Sequence, residues 1–330
     1  MTLRPAPSSI AALVALALSL WPSDSRAQPE SRSPRFTAAV DLVSVDVCVR
    51  DASGRFLPDL SAADFLVLED GVPQRVEFLV PSSAVPLTAV LLIDVSYSMS
   101  GAKLTRALAA AAQFAALLRP DDRLAVIAFN RRARLIHGFD DSPTAAAATL
   151  ASDIAAVMAW REQHSNGSTA LYDALLVAAN ELARARRDSS SQTREVVVLL
   201  SDGEDTSSHV GFEDARSVLR RSGALTYGVS LRADDRGQWL GPAWPMLTLA
   251  RDTGARVMGV SSAEALPDLY REIVAEVRDL YRIGYVSTDS RRDGQWRAIS
   301  VRVAAPDARV RARAGYYASP PLREGRPPTP

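Results

Sequence analysis

Cysteine occurs once, at Cys48, so the chain can form no internal disulfide, thiolate zinc site or Cys-x-x-Cys redox centre. Cys48 lies in the alternating run Val45-Asp46-Val47-Cys48-Val49, where a small buried hydrophobe is the expected role. Histidine is scarce: His137, His164 and His209 are scattered, and none falls in a His-Glu-x-x-His zinc motif. Neither sign of charge dominates. The 38 basic residues balance 38 acidic ones, with Lys103 the only lysine, so no electrostatic footprint for nucleic acid exists. The chain also has no Gly-x-Ser-x-Gly elbow and no phosphate-cradling glycine loop. What is present is ordinary: 47% hydrophobic and 23% charged residues over 330 positions, enough for about two domains with sizeable cores. Wholesale disorder, a collagen-like chain and a polytopic membrane protein do not fit that balance.

The N-terminus reads as an address. Arg4 supplies a positive start, Ile10–Trp21 is an uncharged, largely apolar run, and Ser25-Arg26-Ala27 offers small residues for a signal peptidase. The run of about 12 residues is short for a bilayer-spanning helix, which needs roughly 20. Residues 1–27 are therefore expected to be a signal peptide, exporting the protein to a periplasm or beyond the cell and leaving no transmembrane segment. An uncleaved anchor is the alternative. Cleavage removes two arginines and one aspartate, so the remainder carries one net negative charge.

Residues 28–35 read as a disordered leader. From 36 to 82 the hydrophobic period is 2, with runs at Val40–Val49, Phe65–Leu68 and Val76–Val80 and a hairpin signal at Asp70-Gly71. Over 86–280 strands alternate with helices. Strands are expected at Thr88–Ile93, Leu124–Phe129, Val196–Leu200, 224–231 and 256–260, with Arg134–Ile136 as a short edge. Helices are expected around Leu104–Leu118, Thr144–Trp160, Ala170–Arg186, 212–221, 245–252 and 262–280. This alternation predicts an α/β fold with a doubly wound, mostly parallel sheet. Period 2 returns over 281–318, with runs at Tyr281–Val286, Ala298–Val303 and Val310–Tyr317, before a Pro/Arg-rich tail at 319–330. The flanking β segments are expected to pair into one sandwich interrupted by the α/β unit.

Ligands of open α/β sheets bind beyond the carboxyl ends of the strands. There the chain places Asp94-Val95-Ser96-Tyr97-Ser98 and Ser201-Asp202-Gly203, while Asn166-Gly167-Ser168-Thr169 precedes a helix. Asp94, Ser96, Ser98, Thr169 and Asp202 are oxygen donors without sulfur or nitrogen, so the implied ion is hard: Mg²⁺, Mn²⁺ or Ca²⁺. Two carboxylates and three hydroxyls leave that ion electrophilic and able to accept an anionic oxygen from a partner. Each piece alone is ordinary. The serines suit an Asx turn, Thr169 an N-cap, and Ser201-Asp202-Gly203 a turn.

Together, these five positions resemble the metal-ion-dependent adhesion site of von Willebrand factor type A domains, Asp-x-Ser-x-Ser followed by a threonine and then an aspartate. The resemblance covers about 195 residues. It implies that Ser96, Ser98 and Thr169 touch the ion through their hydroxyls, with Asp94 and Asp202 often acting through water. It also implies a protein partner offering an Asp or Glu carboxylate, with an extracellular glycan or matrix as the other candidate, and a last helix able to move with affinity. Asp64-Phe65-x-Val67-x-Glu69-Asp70-Gly71, Gly284-Tyr285 and Ala314-Gly315-Tyr316 look like the exported VWFA-related proteins described from acidobacteria.

Other classes have less behind them. Ser100-Gly101-Ala102-Lys103 matches Ser-x-x-Lys but lacks the Ser-Asp-Asn and Lys-Thr-Gly partners of a β-lactamase. A phosphatase using Asp94 would want an aspartate where Ser96 stands. The expected protein is thus non-catalytic, with a metal-dependent hydrolase and a structural scaffold as the alternatives. Trp239 and Trp244, in a long loop on the metal-bearing edge, are candidate partner contacts, as are Thr206, Ser207 and His209.

Overall fold

The computed structural model describes residues 42–80, 85–139, 142–152, 154–164, 167–188, 192–201, 204–231 and 244–318. The expected signal peptide, leader and tail, together with Asp202 and Trp239, lie outside the described residues.

Four strands come first: β1 (Leu42–Arg50), β2 (Phe65–Glu69), β3 (Val72–Gln74) and β4 (Val76–Val80). The turn at Asp70 and Gly71 has both residues at positive φ, 46° and 85°, which is the backbone a two-residue hairpin between β2 and β3 requires. The α/β unit follows as β5 (Leu87–Asp94), α1 (Ala102–Ala116), β6 (Arg123–Phe129), β7 (Ala133–His137), α2 (Pro143–Ser152), α3 (Ile154–His164), α4 (Leu171–Arg187), β8 (Arg194–Leu200), α5 (Phe212–Ser222), β9 (Leu225–Ser230), α6 (Trp244–Thr253), β10 (Val257–Gly259) and α7 (Leu266–Asp279). The chain closes with β11 (Tyr281–Val286), β12 (Trp296–Val303), β13 (Arg309–Ala312) and β14 (Gly315–Tyr317).

The central sheet has the order β10-β9-β8-β5-β6-β7 and is parallel except for the edge strand β7. All eight residues of β5 are buried, as a strand covered on both faces must be. Ala89, Leu91 and Ile93 pack with residues of α1 and α7, and Val90 and Leu92 pack with residues of α4, α5 and α6. This is a doubly wound α/β fold.

Strands from the two ends of the chain pair with each other. One sheet runs β13-β1-β11-β4 and a second β14-β12-β2-β3, all antiparallel. The two share one core of Val43, Val45, Val47, Val49, Phe65, Val67, Tyr281, Ile283, Tyr285 and Ile299. The α/β unit is therefore an insertion between β4 and β11 of one sandwich. In β1 the odd residues fill that core, while Cys48 on the other face packs into the α/β core. Burial pushes the Cys48 thiol up, against the pull of Arg311, so it is an inert filler.

Two expectations are corrected. The stretch read as one helix over Thr144–Trp160 is two, α2 and α3, reaching His164. Residue 153, between them, lies outside the described residues. The run Val310–Tyr317 is also two strands, in different sheets. Between them Ala314 N donates to the Asp252 carbonyl in the last turn of α6 (3.0 Å) and its carbonyl accepts from Ile299 N (2.9 Å), so the chain leaves one sheet and enters the other.

Candidate functional site

The register of the central strands sets the geometry. Asp94 pairs with Phe129 across β5 and β6, and Ile93 with Leu200 across β5 and β8, so Asp94 and Ser201 emerge side by side at the carboxyl edge. Asp94 is fully buried and its carboxylate is oriented from two directions. Oδ1 accepts from Ser96 N at 2.8 Å and Oδ2 accepts from the Ser201 hydroxyl at 2.7 Å. The chain then enters a short 3-10 turn over Tyr97–Met99, anchored by the buried Met99. Here the Ser96 and Ser98 hydroxyl oxygens come within 3.1 Å of each other. Arg161 Nε, from α3, donates to the Val95 carbonyl at 3.0 Å and holds this loop from behind.

Thr169 is brought in from β6. Ala170 N donates to the Asn130 carbonyl at 2.7 Å, just past Phe129, whose own carbonyl accepts from Val95 N at 2.7 Å. Its position is clamped from the other side as well. Thr169 N donates to Thr206 Oγ1 at 2.8 Å, and the Thr169 carbonyl accepts from Thr206 N at 2.8 Å and Ser207 N at 3.1 Å. Thr169 does not cap α4. The N-cap is Ala170, without a side-chain cap, and the first-turn amides of Tyr172 and Asp173 donate instead to Ser208 Oγ at 3.0 and 3.1 Å. Asp205 reinforces this by accepting from Tyr172 N at 3.3 Å. The Thr169 hydroxyl, in a buried residue, makes no hydrogen bond among the described residues.

This donor set fits a hard divalent ion. Ligands about 2.1 Å from Mg²⁺ at right angles stand roughly 3 Å apart, the spacing of the Ser96 and Ser98 hydroxyls. Among the described residues no group of three or more His, Cys, Asp or Glu could hold a metal. The structure brings Asp94, Ser96 and Ser98 together and seats Thr169 through Asn130. Asp202, next after Ser201, lies outside the described residues.

Of the partner-contact candidates, Trp244 is 60% exposed at the start of α6 and rests on Phe212, ring centroids 4.8 Å apart, which in turn meets Tyr172 at 5.8 Å. Thr206 and Ser207 clamp Thr169. His209 projects its ring into solvent with Nδ1 2.8 Å from Asp173 Oδ2. Burial raises the Asp173 carboxyl, but hydrogen bonds from the His209 ring and backbone outweigh it and hold it below the usual range. Ser201, Asn130, Asp205 and Ser208 position the site although sequence reasoning gave them no role. Only Ser201, next to Asp202 at a strand end, carried a signal. Asp205 and Ser208 cap a helix more than thirty residues upstream, which no local pattern reveals.

The family profile for the von Willebrand factor type A domain matches residues 89–272, more than half of the chain. An uncharacterized protein, sll0103 of Synechocystis sp., is 32% identical over 120 residues, covering 36% of this chain and 26% of its own length. The chain thus spans about a quarter of that curated relative. Among solved structures, a von Willebrand factor type A protein from Catenulispora acidiphila is 14% identical, with TM-score 0.47, covering 86% of this chain and 76% of that one. Proximal thread matrix protein 1 from the mussel byssus, in a structure with a zinc-occupied MIDAS motif, is 18% identical, with TM-score 0.45, covering 64% of this chain and 50% of that one. With the profile spanning the inserted unit from the third residue of β5 to within seven residues of the end of α7, this chain belongs to the von Willebrand factor type A domain family.

Proposed function

We propose that this protein is an exported, non-catalytic binding protein that captures an acidic side chain of a protein partner through a divalent ion. Ser96, Ser98 and Thr169 would hold the ion directly, with Asp94 and Asp202 supplying the two negative charges. The observation that carries this reading is the uncommitted Thr169 hydroxyl, clamped in place by the Thr206 loop while α4 is capped by Ser208. A hard ion, Mg²⁺ before Mn²⁺ or Ca²⁺, suits an all-oxygen set. Export rests on residues 1–27, and the flanking Glu69, Gly284-Tyr285 and Gly315-Tyr316 motifs favour the exported VWFA-related group. Among the described residues no helix is long and apolar enough to cross a membrane.

Trp244, raised on Phe212 beside the start of α4, is the side chain we assign to partner contact next to the ion. The test is affinity capture from the producing cell's envelope and medium, with and without chelator, using the wild-type chain and Asp94→Ala. A partner retained only by metal-loaded wild type supports the reading. Retention that ignores both chelator and Asp94→Ala would favour a scaffold whose domain is merely structural, and turnover of phosphoesters a hydrolase.

A further inference from the structure

A crevice of about 360 Å³ opens where the sandwich meets the α/β unit, between β1 and β11 on one side and the end of α4, the start of β8 and the end of α5 on the other. It lies by Thr88 and Thr193, the opposite end of the central strands from Asp94 and Ser201, and so is separate from the metal edge. Arg186, Arg282 and Arg313 line it, with Asp46 and Glu195 as its carboxylates.

Both carboxylates are already engaged. Arg186 grips Glu195 through Nε at 2.8 Å and a second bond from Nη2, and Arg282 grips Asp46 through Nε and Nη2, each at 3.0 Å. Arg194 adds a third bond to Asp46 at 2.8 Å. Arg313 has no such partner. It makes no hydrogen bond or ion pair to any described residue, its Nε is closed off from solvent, and its neighbour is the Tyr316 ring, 5.6 Å away. The three guanidiniums lining the crevice therefore face two carboxylates, and the surplus positive charge belongs to Arg313, a planar fork of donors with no acceptor among the described residues.

The placement of Arg313 is built into the fold. It is the hinge between β13 and β14, and the next residue is tied to the Asp252 carbonyl at 3.0 Å. Gly254 sits under it, where a Cβ would come within 2.7 Å of Arg313 N. Gly223, the left-handed cap of α5 at φ +73°, leaves open the space in which a Cβ would lie 3.4 Å from Arg313 Nη1. Burial pulls the Arg313 pKa down, against the raising effect of Tyr285 and Asp46. Arg313 is partly buried, and its Nε–H, closed off from solvent without an acceptor, carries a cost that an anion in the crevice would remove.

We infer that this crevice binds the oxyanion group, carboxylate or phosphate, of a small molecule through paired donation from Arg313. The volume lies in the range of small-ligand sites, about 300–1,000 Å³, and exceeds what a bare phosphate fills. The full chain should be titrated with inorganic phosphate and, separately, with succinate at constant ionic strength set by chloride. Chelator is kept present so that neither anion can bind through a metal at Ser96 and Ser98.

One saturable site for at least one anion is expected, weakened by about tenfold or more in Arg313→Gln, partly restored in Arg313→Lys, and unchanged in Arg309→Gln, an exposed arginine elsewhere on β13. Phosphate alone binding identifies a phosphoryl ligand, succinate alone a carboxylate, and both the shared chemistry. Absence of saturable binding to either would overturn the inference, as would equal affinity in wild type and Arg313→Gln or equal loss in Arg309→Gln. Should Arg313→Gln not fold, Arg313→Lys at wild-type affinity would overturn it too.

Discussion

The Ser201 hydroxyl donates a 2.7 Å hydrogen bond to Asp94 Oδ2, joining the carboxyl ends of the two central parallel strands through the very carboxylate assigned to the ion. With Oδ1 held by Ser96 N, the carboxylate cannot rotate freely. Ser201→Ala should therefore cost about 2 kcal/mol in denaturant unfolding, as for a buried bond to a charged group, and weaken metal binding several-fold. Unchanged affinity in a folded variant would mean that Asp94 needs no such orientation.

Thr169 separates two readings of the site. An N-cap threonine is worth about 1 kcal/mol, whereas a hydroxyl kept for a metal is worth little to stability in the absence of that metal. Since the first-turn amides of α4 are capped by Ser208 and Asp205, Thr169→Val should leave metal-free stability within about 0.5 kcal/mol while reducing metal affinity. Matched thermal melts with chelator and with Mn²⁺ read both quantities.

The joint between the two units is ionic and will be acid-labile. Arg194, fully buried at the start of β8, donates to Asp46 and to the Val277 carbonyl at 2.7 Å beside the end of α7. Burial raises the Asp46 carboxyl, but Arg194 and Arg282 outweigh it, and it stays below the ordinary value of 3.8. A carboxyl depressed in the folded state contributes stability that is complete above its unfolded pKa and lost as pH falls through the folded one. Stability should hence decline below about pH 4 in part through Asp46. Asp46→Asn should remove that portion of the acid limb while lowering stability at pH 7 by about 3 kcal/mol, because Arg194 is left buried without its counterion. Urea unfolding at pH 7 and at pH 3 measures both.

The motifs flanking the inserted domain converge in space. Tyr285 and Tyr316 donate their hydroxyls to Glu69 Oε2 at 2.8 and 3.1 Å, and Ser287 donates to Oε1 at 2.6 Å. The glycine before each tyrosine lies under an aromatic ring. A Cβ on Gly284 would fall 1.9 Å from Phe78, and one on Gly315 would fall 2.5 Å from Trp296. Gly284→Ala should cost about 2 kcal/mol and Phe78→Ala a similar amount, with the double variant losing clearly less than their sum. Strict additivity in denaturant unfolding would show that the ring and the glycine are not coupled.

Much of this architecture was legible in the chain. Period-2 runs marked the strands on both flanks, a continuous apolar run marked β5, and order plus strand-end position singled out Asp94, Ser96, Ser98 and Thr169. What escaped depends on partners remote in sequence. The break at Arg313 is made by Asp252 and Gly254 at the end of α6, and the cap of α4 comes from the loop after β8. Arg194 looks like any surface residue at the start of a strand, yet its two terminal nitrogens donate to Asp46 of β1 and to the Val277 and Leu280 carbonyls at the end of α7 and just past it. Local patterns report which face is buried; they carry no record of what lies opposite.

The most direct test of the metal site is calorimetric titration of Mn²⁺ and Mg²⁺ into chelator-stripped protein beside Asp94→Ala and Asp202→Ala, each confirmed folded by circular dichroism. One site in the wild type, lost in both variants, is the predicted result. Wild-type binding that persists unchanged in both variants, or no binding by the wild type at all, would contradict the assignment of these oxygens to a metal.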